Sequence, residues 1–169
     1  MVNFGILYGL SGFGLAQAAS IARGEAQKFI DEYFATHPRV RAYLAGTVAQ
    51  GRERGYVTTL LGRRRYLPEL TARNPVARSA AERMAQNAPI QGTASDLIKL
   101  AMVRLRPELA ARGLQARLLL QVHDELLLEV PEEEREAVRA LLPAVMESVA
   151  SLDVPLRVEV KEGPDWAQV

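Results

Sequence analysis

Arg117-Leu118-Leu119-Leu120-Gln121-Val122-His123-Asp124-Glu125-Leu126-Leu127-Leu128-Glu129-Val130 is the stretch that decides the fold. Two dense apolar runs, residues 117–121 and 126–130, bracket a short polar segment. That is the pattern of a buried antiparallel hairpin with His123 and Asp124 at its turn.

Downstream, residues 132–150 have the 3.6-residue period of a helix, and residues 156–160 alternate as a final strand. Upstream, residues 92–111 carry Leu97, Ile98, Ala101, Met102 and Leu105 as a helical stripe. Asn74-Pro75 opens a preceding helix, expected to run to about Asn87, with Pro89 as the next boundary. Residues 56–60 and 66–67 read as short strands flanking a turn at Gly62-Arg63-Arg64-Arg65. Residues 39–54 are helical until Gly55 stops them, and His37-Pro38 breaks the run before them. Residues 15–35 fit one or two short amphipathic helices interrupted near Gly24. Helices come first, then hairpin, helix and strand, so the class is α+β: a helical lobe followed by a small antiparallel sheet.

The 169 residues suffice for one compact domain or two small lobes, and a 49% apolar content can supply a core. No apolar run reaches the length of a membrane-spanning helix, and the start lacks a signal-peptide pattern, so a soluble cytoplasmic protein is expected. Cysteine is absent, which excludes disulfides and thiolate metal sites. The net charge of +1 is unevenly distributed. Residues 51–83 hold eight arginines against Glu53, Glu69 and Glu82, whereas residues 131–169 hold nine acids against four bases. A polyanion-facing surface on one side fits this asymmetry, although charge alone favours ordinary solvated helix faces.

Three constellations could carry chemistry. Between greasy strands, His123, Asp124 and Glu125 cost stability unless they cap a turn or act on something. Asp124 and Glu125 offer oxygen ligands for a hard divalent cation such as Mg²⁺, but adjacent strand residues face opposite ways, and a turn in which Asp124 bonds backbone amides is the alternative. In Asn3-Phe4-Gly5-Ile6-Leu7-Tyr8-Gly9, Phe4 and Tyr8 share a helical face, Gly5 keeps the backbone beside Phe4 bare and Gly9 suits a helix stop. Such a pair can stack on a base or belong to a core. Arg83, Asn87 and Gln91 stand four apart and would align phosphate- and minor-groove-binding side chains if the helical phase survives Pro89; capping around Pro89 is the alternative.

Combined, these segments resemble family A DNA polymerases over essentially the whole chain. Residues 3–9 look like the end of the fingers helix that binds the incoming nucleotide. Gly62-Arg63-Arg64-Arg65-Tyr66 and Asn87-Ala88-Pro89-Ile90-Gln91-Gly92-Thr93-Ala94 are similar to segments at the fingers-to-palm passage. Residues 121–125 match the palm motif whose aspartate binds the catalytic metals. The resemblance implies a fingers-like helical part over residues 1–75 and a palm part with the catalytic hairpin over residues 76–169. It implies template-directed DNA synthesis with two Mg²⁺ ions, with primer-template DNA and deoxynucleoside triphosphates as partners, in a bacterial, nucleoid-associated enzyme of replication and repair. By position, Phe4 contacts the sugar and base of the incoming nucleotide, where a phenylalanine disfavours dideoxynucleotides, and Tyr8 stacks near the templating base. Arg83 contacts the DNA backbone, Asn87 and Gln91 lie near the minor groove at the primer end, and Gln121 and His123 face the primer terminus. Asp124 is the metal ligand, supported by Glu125 as the other catalytic carboxylate.

The family's triphosphate-binding lysine and arginine, expected just upstream of Asn3, have no counterpart here. Neither has the palm motif with the first catalytic aspartate and its Tyr-Ser-Gln-Ile-Glu-like run, nor the thumb. The chain alone is therefore expected to carry an incomplete active site and to need the remainder of a polymerase, thumb and upstream palm, as its partner. A phage-type single-subunit RNA polymerase shares the general plan, but Glu125 after Asp124 and the Gln91-Gly92-Thr93-Ala94 segment favour the DNA enzyme. A non-catalytic nucleic-acid-binding module is the alternative of a different class.

Overall fold

A computed structural model of the chain describes residues 5, 6 and 8–169. These pack as two compact units, Met1–Thr93 and Ala94–Val169. The architecture is mostly helical with two small antiparallel sheets, as the α+β reading expects.

In the first unit, α1 (Gly12–Ala19) is capped by Ser11, whose Oγ accepts the Gly14 amide at 3.2 Å. It ends at Ser20, which adopts the left-handed conformation. The helix break therefore falls at Ser20 and not near Gly24, which lies in the first turn of α2 (Arg23–Thr36). A residue at positive φ ends a helix outright, whereas a glycine within one costs only about 1 kcal/mol. Pro38 opens α3 (Pro38–Arg54), where a missing amide proton does no harm, and Gly55 stops it as expected. Ile6, Leu15, Ala26 and Ile30 form the core beneath α1 and α2.

Two short strands follow, β1 (Tyr56–Thr58) and β2 (Arg64–Tyr66), pairing Tyr56 with Tyr66 and Thr58 with Arg64. Arg64 and Arg65 thus belong to a strand, and the turn lies between Thr58 and Arg64. Beyond a 3-10 turn at Pro68–Thr71, Asn74 caps α4, accepting the amides of Val76 and Ala77 at 2.8 and 3.3 Å.

That helix runs unbroken over Pro75–Ala111, so the boundary expected at Pro89 does not exist. An interior proline removes a hydrogen bond and clashes with the carbonyl one turn back, at about 3 kcal/mol. What offsets this is a common support on both sides of it. Ala81 and Ala85, before the proline, share a core with Val48, Val57, Leu67 and Leu70. Gly92 and Thr93, after it, are tied to the β1–β2 turn: Arg63 Nη2 donates to the Gly92 carbonyl at 2.9 Å, and the Leu60 amide donates to Thr93 Oγ1 at 2.9 Å. Gly92 has to be glycine for this approach, since a Cβ there would stand 2.5 Å from Thr59 Cγ2.

In the second unit the end of α4 packs Leu105 and Leu109 against Val138, Leu141 and Val145 of α5 (Arg135–Glu147). Between them, β3 (Arg117–Val122) and β4 (Glu125–Glu129) form the antiparallel hairpin that the apolar runs predict. It is covered on one side only. Leu126, Leu128 and Val130 join the core, whereas Leu119 and Leu120 are about half exposed, at 52% and 47%, so the expectation of a buried hairpin holds for one face. The register slips between Leu118 and Leu120, which leaves Leu119 as a bulge. The helix expected over residues 132–150 begins as a 3-10 turn, Glu132–Glu134, and its α-helical part ends at Glu147. Residues 156–160 form no strand. A strand needs an edge to pair with, and here the Val158 amide donates instead to Glu147 Oε1 on α5 at 2.9 Å. No described helix is long and apolar enough to cross a membrane.

Candidate nucleic-acid interface

The hairpin tip is a two-residue connection, His123-Asp124, closed by the pairing of Val122 with Glu125. His123 takes a φ of 53°, which is unusual for a residue with a side chain. Gln121 holds this turn in place, its Nε2 donating to the His123 carbonyl at 2.6 Å. Asp124 and Glu125 are exposed, and neither carboxylate is paired among the described residues. Asp124 therefore does not cap the turn, and its oxygens are presented to solvent.

Those oxygens have the right chemistry for a hard cation, which takes carboxylates and water. Their number is insufficient, since no group of three metal-ligating side chains forms among the described residues. Asp124 and Glu125 can supply part of a divalent site and cannot complete one.

In the first unit, continuity of α4 through Pro89 puts Arg83, Asn87 and Gln91 on successive turns of one helix, so the condition for their alignment is met. Arg83 is exposed, with Nη1 donating to Ser79 Oγ at 3.0 Å. Gln91 is exposed, and Asn87 is half-buried with Oδ1 shielded and without a hydrogen-bond partner among the described residues. A shielded, unpartnered amide oxygen is costly, and it stands in the middle of this row.

The segment before α1 ends in a Schellman stop. The Leu10 amide donates to the Gly5 carbonyl at 2.8 Å and the Gly9 amide to the Ile6 carbonyl at 3.0 Å, with Gly9 at a φ of 76°. Gly5 is bare for Leu10, whose Cδ2 would lie 2.7 Å from a Cβ on Gly5. Gly9 is bare for α4: a Cβ on it would meet Arg83 Cγ at 2.9 Å and Gln86 Oε1 at 3.0 Å. The turn carrying Tyr8 is thereby packed against the helix carrying Arg83. Phe4 lies outside the described residues, so its expected placement on Tyr8's face has no structural counterpart here.

The sequence assigns no supporting role to the residues that fix α4, namely Thr59, Gly92 and Thr93. Their one sequence signal is a glycine in the middle of a long helical pattern.

The family model described as DNA polymerase family A matches residues 1–168. The chain is 58% identical over 165 residues to the thermostable DNA polymerase I of Thermus aquaticus, covering 98% of this chain and 20% of that protein. It is 56% identical to the DNA polymerase I of Geobacillus stearothermophilus, again covering 98% of this chain and 19% of that protein. The chain thus spans about a fifth of the length of the curated relatives it matches. Among solved structures, the POL domain of Pol1 from M. smegmatis, in complex with DNA primer-template and dNTP, matches with a TM-score of 0.89 and 49% identity, covering 92% of this chain and 28% of that one. A family match over nearly every residue, on a fold that presents Asp124 at the tip of a two-residue hairpin turn, leads to one conclusion: the chain belongs to DNA polymerase family A.

Proposed function

We propose that these residues form the C-terminal part of a DNA-directed DNA polymerase of replication and repair, with residues 1–75 in its fingers and residues 76–169 in its palm. The observation that carries the reading is Asp124, an unpaired carboxylate at a turn held by Gln121. In the reaction a primer 3′ oxygen bonds to the α-phosphorus of a deoxynucleoside triphosphate, the bond to pyrophosphate breaks, and the hydroxyl proton leaves. Mg²⁺ is the proposed cofactor, as two ions in the complete enzyme, with Asp124 as a ligand, Glu125 in support and the remaining ligands from outside these 169 residues. When bound it neutralises charge on the transferred phosphate.

The solved relative's primer-template and dNTP point to the same partners for this chain. Arg83 grips a backbone phosphate, Asn87 and Gln91 donate toward the minor groove, Gln121 and His123 face the primer end, and Phe4 and Tyr8 receive the nucleotide and the templating base. The junction of Gly9 with Arg83 supports this, because it holds the Tyr8 turn beside the row on α4.

A transplant tests the reading. Residues 1–168 replace the matching region of the Thermus aquaticus polymerase, and primer extension is measured. An active chimera is expected. A chimera that folds and binds primer-template but does not extend it would favour a non-catalytic binding module instead.

A further inference from the structure

We infer that the open face of the β1–β2 hairpin, carrying Tyr56, Arg64 and Tyr66, is a stacking platform for unpaired nucleotides of a single strand. The inference rests on the proposed function and extends it from the duplex to unpaired template. The register fixes the face: Tyr56 pairs with Tyr66 and Thr58 with Arg64, so these four side chains project together. The alternate residues point the other way, Val57 into the core and Arg65 toward Met84, its Nη2 lying 3.4 Å from Sδ. One face is thus covered and the other open, with Tyr66 66% exposed.

The open face is organised before any ligand arrives. The Tyr56 and Tyr66 rings lie 5.5 Å apart at 59°, and the Arg64 guanidinium sits 4.7 Å over the Tyr56 ring. Hydrogen bonding to Tyr66 raises the Arg64 pKa above its ordinary value, and the guanidinium is a cation at any working pH. Leu60 and Leu61, in the turn that joins the two strands, are both more than half exposed.

Charge selects the occupant. Residues 56–66 contain three arginines and no carboxylate, and Arg64 is the one that projects from this face, so the face suits a polyanion and repels a basic protein surface. Within that class, an exposed aromatic ring favours a single strand, since a base must be out of the duplex before its flat face can stack.

The test measures binding of the 169-residue chain to an oligothymidine of about 12 nucleotides, to an abasic strand of equal length and to a duplex, across a salt series. Circular dichroism of every variant checks the fold. The base-bearing strand is expected to bind about 5- to 100-fold tighter than the abasic one. Tyr66→Leu, which keeps apolar contact with Tyr56, should remove that preference, and Tyr66→Phe should keep it. Arg64→Gln should reduce the salt dependence by about one phosphate contact. Equal affinity for base-bearing and abasic strands, no binding of either, or a preference untouched by Tyr66→Leu would overturn the platform. Each of those results leaves the polymerase reading to be judged by the transplant, where a dead chimera would count against that reading alone.

Discussion

Arg83 Cγ lies where a side chain on Gly9 would have to go, 2.9 Å from the position of its Cβ. Two segments 74 positions apart in sequence therefore constrain one another. Gly9→Ala should destabilise the chain by about 1–3 kcal/mol in chemical denaturation, through both the 76° φ and the collision. Arg83→Ala removes the colliding atoms, so in that background Gly9→Ala should cost less. Equal costs in the two backgrounds would show that the contact is immaterial.

The support of Pro89 gives a second cycle. Gly92→Ala should destabilise by about 1–3 kcal/mol, because the new methyl meets Thr59 Cγ2. Thr59→Ser deletes that methyl while keeping the hydroxyl that accepts the Arg63 amide at 3.1 Å, and it should recover much of the loss. Failure of the rescue would place the clash elsewhere.

Much of this fold is written in local signals. Gly55, His37-Pro38 and the two apolar runs around Asp124 end or pair elements by rules acting within a few residues. Pro89 is different, since its local rule predicts a break and loses to contacts made by Thr59, Leu60 and Arg63 about 30 residues upstream. Residues 156–160 fail in the opposite sense: their alternation is genuine, but Glu147 takes the Val158 amide before any strand edge does. At the candidate site, the Asp124 turn is legible because its polar residues interrupt an apolar pattern. The packing of Gly9 on Arg83 and the unpartnered Asn87 oxygen are not, because both arise only when distant residues meet.

The basic segment should bind DNA weakly and without sequence preference, with log affinity falling linearly as log salt rises. Arg64→Gln and Arg83→Gln should each lower the slope. Arg63→Gln should instead lower stability, since its guanidinium already serves the Gly92 carbonyl. Salt-independent binding would contradict this.

Phe4 tests the nucleotide assignment. In the active chimera, Phe4→Tyr should preserve extension and increase dideoxynucleotide incorporation, because the added hydroxyl can replace the hydrogen bond of the missing 3′-OH. An unchanged ratio of dideoxy to deoxy incorporation would count against Phe4 as the sugar contact.

If Asp124 serves the proposed chemistry and not the fold, single-turnover primer extension by the chimera with Asp124→Asn will separate the two. The turn should survive, since it is held by Gln121 and His123 and no described residue relies on the carboxylate. Primer-template affinity should therefore hold, while the extension rate falls by at least about 10²–10³. The 169-residue chain on its own, with one carboxylate motif, should show no extension at all. An Asp124→Asn chimera that extends primers at the unsubstituted rate would contradict the account.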